Sequence, residues 1–360
     1  MWVNWNLERI MNEVRPIWVL EGTRAGDNAQ ALELARRVGG RIETRKLRYN
    51  SKLQRIRSNW LRKVPDTILD GSLETLDESA SDKLAPPWPD LVIGIGRRCV
   101  PIARWIRRQS GGQTRLVQIG NPKTRLDLFD LVITSPQYDQ PKAPNVIELT
   151  LPITPRAAIP EDEDRWRNVF ATLPEPWIAV MVGAPMKRLS MGAAEIARLA
   201  QDASKLAQAL GGSLVVIGSP RTPAGLVERM ATMLEAPHRI FPWKAGEPNP
   251  YRAALRIAQR FVVTSDSVSM LAEALDTGKP VDIFRLPYRK PYRLPLGRWP
   301  FSLLVRAGLI AAKRNIPVFI DRLIAGGHIG VLGGKEQWRH PVNRADDQAI
   351  ARIRGLIVHE

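Results

Sequence analysis

Short apolar runs alternate with helix-like segments along most of this chain, and that alternation limits the fold more than any other feature. The first series holds IWVL (17–20), DLVIGIG (90–96), RLVQIG (115–120), DLVIT (130–134) and NVIEL (145–149). The second holds WIAVMVG (177–183), LVVIGS (214–219), HRIFPW (238–243), FVVT (261–264) and VDIF (281–284). Apolar runs separated by helices are typical of parallel strands covered on both faces. The sequence therefore predicts an α/β protein of two tandem doubly wound, Rossmann-like domains that face a cleft.

The composition of the chain indicates where the domains begin and end. We expect an N-terminal domain over residues 1–151, a linker over 152–176 that contains five prolines, and a C-terminal domain over 177–290. The acidic run Glu161–Asp164 reads as a solvated turn of that linker. Residues 291–360 form a basic C-terminal segment.

Side chains at the predicted helix starts suggest caps. Asp27 and Gln30 have capping-box spacing for a helix over 28–38. Thr222 followed by Pro223, and Asn249 followed by Pro250, are typical of a cap and the first helical position. We also predict a basic helix over 51–63 and helices over 101–109 and 191–210.

The charge of the chain is unusually positive, with a formal net charge of +17. Residues 36–63 hold eleven Lys/Arg against one acid, and residues 283–320 hold eight Lys/Arg and no acid. Stretches of a single sign suggest an anionic partner, either a lipid surface or nucleic acid. The aromatic residues of the second stretch suit a headgroup boundary, although they could also stack on bases. A proteome rich in arginine would explain the same charge with no partner.

Other sequence features exclude several classes of protein. A single cysteine, Cys99, excludes an intramolecular disulfide. No run of 18 apolar residues is present, and the first residues lack the pattern of a signal peptide. We therefore expect a cytoplasmic protein. The four histidines are scattered, and neither a metal-ligand cluster, a P-loop nor a G-x-S-x-G motif occurs, so we expect no metal and no cofactor.

Three strand-end loops of the second series carry groups that suit a diphosphate. The start of a helix presents free N–H groups and partial positive charge. Beside such starts the loops place cations and hydroxyls, which are typical phosphate ligands. Glu273, one turn into a helix, can accept hydrogen bonds from a ribose diol. The predicted donor-binding residues are Gly183, Lys187, Arg221, Thr222, Asn249, Ser265, Asp266, Ser267, Ser269 and Glu273. Each alone could equally be an ordinary helix cap or a solvated helix residue.

One loop of the first series is a second candidate site. Gly22 and Gly26 allow a tight turn, and Asp27 is either the capping residue already mentioned or a general base. We expect Gly22, Gly26, Arg97 and Arg98 to contact an acceptor. Arg97, Arg98, Arg104, Arg107 and Arg108 would face anionic headgroups.

Several motifs resemble one known family. The segment GEPNPYRAALRIAQRFVVTSDSVSMLAEALDTGKPV (246–281) is similar to the signature of the "elongated mitochondria" family of mitochondrial fission. SPRTP (219–223), GTRAGDNAQALELARRVGG (22–40) and QIGNPKTRLDLFDLVITSPQYD (118–139) resemble further motifs of that family. The resemblance covers roughly residues 16–285. Plant members are known for mitochondrial fission, and bacterial members are regarded as candidate glycosyltransferases.

The resemblance implies the glycosyltransferase B fold, with a nucleotide-sugar donor on the C-terminal domain and no metal requirement. Lys187, Arg221 and the Ser265–Ser269 loop would compensate the leaving diphosphate. The segment 344–357 would be a helix that packs back on the N-terminal domain. Many relatives carry His where this chain has Asp27, which leaves the catalytic base open.

We therefore expect a glycosyltransferase, bound peripherally to the inner face of a membrane, that acts on a lipid-linked or cell-envelope glycan. Three alternatives stay open: a nucleotide-sugar epimerase, a non-catalytic membrane-associated scaffold, and, less favoured, a nucleic-acid-binding protein. The sugar, the nucleotide, the acceptor and the oligomeric state are not specified by the sequence.

Overall fold

The computed structural model describes residues 16–50, 71–155, 160–186, 189–288, 305, 314–344 and 346–357. The chain divides into two compact units. The first holds Met1–Ile153, Pro295–Asn315 and Arg344–Glu360, and the second holds Thr154–Leu294 and Ile316–Asn343. The predicted basic helix over 51–63 and most of the basic stretch 283–320 lie outside the described residues.

The first unit contains a parallel sheet that covers the predicted apolar runs. Its strands are β1 (Ile17–Glu21), β2 (Ile42–Lys46), β3 (Leu91–Ile95), β4 (Arg115–Ile119), β5 (Leu131–Thr134) and β6 (Val146–Glu148). They lie in the order β2-β1-β3-β4-β5-β6. Helix α1 (Ala25–Val38) follows β1, helix α2 (Val100–Gln109) follows β3, and 3-10 turns cover Glu78–Ala80 and Leu126–Leu128.

Both faces of this sheet are buried, because successive side chains of a strand point to opposite faces. Ile17 and Val19 pack with Leu34 of α1 on one face. Trp18 and Leu20 pack with residues of α2 on the other. A sheet covered by helices on both faces is the doubly wound arrangement that the sequence predicts.

The second unit repeats this arrangement. Its strands are β7 (Trp177–Val182), β8 (Ser213–Gly218), β9 (His238–Phe241), β10 (Arg260–Thr264), β11 (Val281–Phe284) and β12 (Gly330–Val331). Their order is β12-β11-β10-β7-β8-β9, and every pairing is parallel. The helices are α3 (Glu163–Phe170), α4 (Ala193–Leu210), α5 (Leu226–Ala231), α6 (Tyr251–Ile257), α7 (Val268–Asp276) and α8 (Ile316–Ala325). The prediction of two doubly wound α/β units is confirmed.

Helix α3 lies inside the region predicted as a linker, and it includes part of the acidic run that was predicted as a solvated turn. Pro160 and Pro174 flank the helix and do not interrupt it. The side chains of Trp166 and Phe170 are buried and contact the ring of Phe241, with centroids 5.5 and 6.0 Å away. The acidic run supplies the first turn of α3, where negative charge is favourable, and Glu163 pairs with Arg167 and Arg256.

The C-terminal part of the chain contributes to both units. Helix α8 and strand β12 belong to the second unit, whereas the final helix, α9 (Asp346–Ile357), belongs to the first. In the first unit, Arg37 Nη1 of α1 lies 2.6 Å from Asp346 Oδ2 of α9, and Arg354 donates to the carbonyl oxygens of Arg37 and Val38. Within the described ranges, no helix has both the length and the apolar character needed to cross a membrane.

Candidate functional site

The second unit has its topological switch point between β7 and β10. The chain proceeds from β7 to β8 and β9 on one side, and β10 pairs with β7 on the other side. Helices therefore depart to opposite faces, which leaves a crevice beyond the carboxyl ends of these two strands, where open α/β sheets bind ligands. The predicted residues from Gly183 and from 264–269 stand at these ends.

Hydrogen bonds join the two strand ends directly. Thr264 Oγ1 accepts the N–H of Gly183 at 2.9 Å and donates to Asp266 Oδ1 at 2.7 Å. Asp266 Oδ2 accepts the N–H of Ala184 at 2.8 Å. A Cβ on Gly183 would lie 2.1 Å from the same oxygen, so the close approach requires glycine. Burial raises the pKa of Asp266, and the Ala184 and Thr264 hydrogen bonds oppose that shift. Since both oxygens of Asp266 face protein donors, this carboxylate positions the loops.

Thr222 has a different role from the predicted helix cap. Helix α5 begins at Leu226 after Gly225, whose φ is 72°. Thr222 Oγ1 accepts the N–H of Ser219 at 2.8 Å and can donate to the carbonyl oxygens of Val182 or Gly183, at 2.7 and 2.9 Å. The helix starts later because this hydroxyl ties the end of β8 to the end of β7. Arg221 stays exposed at the tip of the loop and lowers the pKa of Asp266.

The start of α7 presents unpaired backbone donors. Ser267 is the capping residue, and its hydroxyl accepts the N–H of Met270. Among the described residues, the N–H groups of Val268 and Ser269 have no acceptor, as expected for the first turn of a helix. Ser269 is exposed, whereas Ser265 is buried and accepts the N–H of Leu286 at 3.0 Å.

Glu273 is held by a residue that the sequence reasoning missed. Its Oε2 accepts a hydrogen bond from the hydroxyl of Tyr251 at 2.7 Å. Asn249 Oδ1 in turn accepts the N–H of Tyr251 at 3.0 Å, although helix α6 begins at Tyr251, one residue later than a cap at Asn249 predicts. Burial raises the pKa of Glu273, and the Tyr251 hydrogen bond lowers it. The tyrosine of the NPY motif could have been found from the sequence as the partner of this carboxylate.

Trp243 is a second residue that the sequence reasoning missed. It comes two residues after β9, and its side chain is 41% exposed. Its backbone nitrogen would lie 3.2 Å from a Cβ on Gly218, the last residue of β8, so Trp243 borders the same row of strand ends. The available sequence signal was an aromatic residue just beyond a predicted strand, in HRIFPW (238–243). Lys187, predicted for this site, lies outside the described residues.

The first unit has its own switch point between β1 and β3. Helix α1 begins at Ala25, three residues before the predicted start, so the capping box of Asp27 and Gln30 does not form. Instead the Asn28 side chain accepts the N–H of Gly22 at 2.9 Å and donates to its carbonyl oxygen at 3.0 Å. This local closure fixes the loop and places Asp27 within the first turn.

Arginines surround Asp27. Its Oδ2 lies 3.9 Å from Arg24 Nη1. Burial raises the pKa of Asp27, while the charges of Arg24, Arg314 and Arg98 oppose that shift. Arg98 Nη1 donates to Thr23 Oγ1 at 3.1 Å, and burial lowers the pKa of Arg97. Arg314, from the C-terminal segment, was not predicted, because no local pattern indicates which strand end it reaches.

The backbone at the start of α1 is open, and the described residues include no candidate metal centre. A Cβ on Gly26 would meet no atom within 4 Å among the residues that the structure describes, so the backbone there is open. In the described part of the chain, no group of three or more His, Cys, Asp or Glu side chains could hold a metal ion.

Comparisons with known proteins place the chain among relatives. A protein named Mitochondrial fission protein ELM1, from Arabidopsis thaliana, is 31% identical over 315 residues, which covers 80% of this chain and 68% of that protein. UDP-GlcNAc 2-epimerase from Methanocaldococcus jannaschii has a similar structure, with a TM-score of 0.48, 12% identity and coverage of 94% and 99% of the two chains. MurG from Acinetobacter baumannii has a TM-score of 0.41, 12% identity and coverage of 95% and 92%.

The family model described as Mitochondrial fission ELM1 matches residues 25–297, which include α1, the SPRTP loop and the NPY and DSVSM motifs. The resemblance seen in those motifs is thereby confirmed. The chain belongs to the mitochondrial fission ELM1 family.

Proposed function

We propose that the protein is a glycosyltransferase that moves a sugar from a nucleotide-sugar donor to a lipid-linked or cell-envelope glycan acceptor. The observation that carries the proposal is the switch point of the second unit. There the unpaired N–H groups at the start of α7 and the exposed guanidinium of Arg221 follow β10 and β8, the two strands that flank β7, and the carboxylate of Glu273 lies further along α7. Cations and helix N-termini suit a diphosphate, and a carboxylate suits a ribose diol.

Each part of the donor has a candidate partner. The N–H groups of Val268 and Ser269 and the side chain of Arg221 would bind the diphosphate. Tyr251 occupies Oε2 of Glu273, and among the described residues no hydrogen bond engages Oε1, which would accept from the ribose hydroxyls. The exposed ring of Trp243 offers an apolar face on which a nucleobase could stack. Thr222, Thr264, Ser265 and Asp266 would contribute by fixing the loops.

The chemistry would then need one base and a stabilised leaving group. The acceptor hydroxyl gives its proton to Asp27, and its oxygen forms a bond to the anomeric carbon. The bond from that carbon to the donor phosphate breaks, and the nucleoside diphosphate leaves with the electron pair. A carboxylate whose pKa is raised by burial is a better base near neutral pH. Arg221 and the start of α7 would stabilise the charge on the diphosphate, so we propose a metal-independent reaction.

A second candidate is a non-catalytic scaffold. The observation that favours it is the name of the Arabidopsis relative, which is a fission protein. Both candidate functions are compatible with binding at the inner face of a membrane. The net charge of +17 supports binding to an anionic surface. Nucleotide binding separates them, because a scaffold has no need of the donor site.

The test is a calorimetric titration of the full chain with UDP, GDP, dTDP and ADP and their common sugars. We expect one nucleotide to bind. We expect Arg221→Gln and Glu273→Gln each to lower its affinity about tenfold or more, since a charge-assisted hydrogen bond contributes about 1.5–3 kcal/mol. Lys205→Gln is the matched control, because this cation is exposed on α4 away from the strand ends.

The products then identify the reaction. Slow release of free sugar from the bound donor, unchanged by EDTA, is expected of the transferase. Interconversion of the sugar while it stays attached to the nucleotide would identify an epimerase instead. Failure of every nucleotide to bind would leave the scaffold as the better description.

A further inference from the structure

Three arginines from distant parts of the chain meet beside Asp27 in the first unit. Arg24 follows β1, Arg98 follows β3, and Arg314 comes from the C-terminal segment. Arg314 Nε donates to Gln137 Oε1 at 2.9 Å, across 177 residues of sequence. The backbone of the same segment forms a bridge with Tyr138. All three guanidinium groups act electrostatically on the carboxylate of Asp27.

This cluster carries more positive charge than its own carboxylate can balance. Arg24 Nη1 lies 3.9 Å from Asp27 Oδ2, and the Arg24 side chain is exposed whereas that of Asp27 is half-buried. Within the described parts of the chain, neither Arg98 nor Arg314 has a carboxylate within 4.0 Å. Other arginines of the protein are paired closely, such as Arg260 with Asp282 at 2.6 Å. Three cations and one anion leave two positive charges for a ligand to neutralise.

The cluster is held in place and has room in front of it. The Thr23 hydroxyl holds Arg98, whose guanidinium carbon also lies 6.0 Å from the ring centre of Tyr49. A Cβ built on Gly26 or on Gly96 would meet no atom of the described residues within 4 Å, so the backbone at the start of α1 and at the end of β3 is open on that side. A ligand can therefore approach the guanidinium groups along the backbone of both loops.

We propose that Arg24, Arg98 and Arg314 bind a phosphate monoester of the acceptor and so place one of its hydroxyl groups beside Asp27. The planar guanidinium matches phosphate oxygens in bidentate fashion. A phosphate monoester carries a charge of about −1.5 to −2 near neutral pH. That charge matches the two uncompensated positive charges of the cluster better than the single charge of a carboxylate does. The role assigned to the hydroxyl rests on the proposed glycosyl transfer, whereas the phosphate site itself does not. Either a lipid phosphate or a soluble sugar phosphate would supply this group.

The test titrates the full chain with geranyl phosphate and with glucose 1-phosphate, using geraniol and glucose as uncharged counterparts. We expect at least one phosphate compound to bind and its uncharged counterpart not to bind. We expect Arg98→Gln and Arg314→Gln each to lower the affinity for that phosphate compound about tenfold. The tighter of the two compounds shows whether the source is a lipid or a soluble sugar. The matched control is Arg125→Gln, because Arg125 is paired with Asp127 on the connection between β4 and β5.

Two measurements separate a binding role from a structural one. Arg314→Lys keeps the charge and is expected to restore part of the affinity that Arg314→Gln loses, whereas a folding defect would give no such graded result. The melting temperature of each variant is measured beside the titration. Equal affinity for phosphate in wild type, Arg98→Gln and Arg314→Gln would overturn the assignment.

Failure of this inference and failure of the proposed function are distinguishable. Both arginine variants are expected to bind the nucleotide as the wild type does, because the donor groups belong to the second unit. If the wild type binds a nucleotide but binds neither phosphate compound, the acceptor site alone is contradicted. Phosphate binding without any nucleotide binding contradicts the transferase and leaves the anion site standing.

Discussion

Asp27 is the carboxylate on which the proposed chemistry depends, and its surroundings act on its pKa in opposite directions. Burial is the largest influence and raises the pKa, while Arg24, Arg314 and Arg98 lower it. The net direction is upward, so ionisation of Asp27 at neutral pH opposes folding. This destabilisation is typical of a group kept for chemistry and not for stability.

We predict that Asp27→Asn abolishes sugar transfer and raises the melting temperature at pH 7. Because the folded pKa lies above the unfolded value of about 3.9, the carboxylate stabilises the fold only at low pH, and that contribution is lost as the pH rises through the folded pKa. The difference between variant and wild type should therefore be absent near pH 3.5, grow as the pH rises and then level off. Calorimetric melting from pH 3.5 to 8 measures it.

Asp127 gives a control of opposite sign for this experiment. A hydrogen bond from Arg125 lowers the pKa of Asp127, so its contribution to stability is present at neutral pH and lost as the pH falls. Asp127→Asn should lower the melting temperature slightly at pH 7, since the pair is exposed. An Asp27→Asn variant that melts below wild type at pH 7 would contradict the prediction.

At the level of the elements, strands were easier to predict than helix starts. The apolar runs predict β1, β3–β5, β7, β8 and β10 closely, because burial on both faces leaves a continuous apolar signal. Helix starts depend on where a polar side chain finds its partner. Asn28 reaches back to Gly22, and Thr222 reaches across to the end of β7, so α1 begins earlier and α5 later than predicted.

For the candidate sites, too, the sequence indicated positions along the strands but not the partners of individual side chains. Local motifs indicated loops that lie at the carboxyl ends of strands, because parallel strands place these ends along one edge of a sheet. They could not separate Asp266, which binds the protein itself, from Arg221, which is exposed. Arg314 was not predictable at all, because its position depends on a contact with Gln137 far away in the sequence.

A prediction for the helices and strands concerns the contact between α9 and α1. Its Asp346 carboxylate contacts Arg37 of α1 and Arg344, and all three side chains are at most 18% exposed. Asp346→Ala would leave these cations without that partner, at a cost of about 3 kcal/mol in the free energy of unfolding of the first unit. Hydrogen exchange of the α1 and α9 amides in rising urea measures the loss.

Asp321→Ala is the matched control for that variant. Asp321 also pairs with an arginine, Arg285, but the two side chains are 57% and 49% exposed. An exposed pair contributes less than about 1 kcal/mol. If both variants lose the same stability, α9 is not held to α1 by the Asp346 contacts.

Across the whole molecule, the last part of the chain completes both units. Helix α8 brings Phe319 and Leu323, both buried, into the second unit, and α9 brings Ile353 into the first. The two units therefore cannot be separated by one cut in the chain.

The net charge of +17 leads to the last prediction, which concerns membrane association. We expect the full chain to sediment with vesicles of phosphatidylglycerol and phosphatidylcholine, and the bound fraction to fall steeply between 0.05 and 0.5 M salt. Each lysine or arginine near an anionic surface contributes about 1 kcal/mol, and the Debye length falls from roughly 14 to about 4 Å over that range. Vesicles of pure phosphatidylcholine are the control. Equal binding to both vesicle types, or preference for RNA over anionic vesicles at 0.15 M salt, would contradict a lipid partner and favour the nucleic-acid alternative.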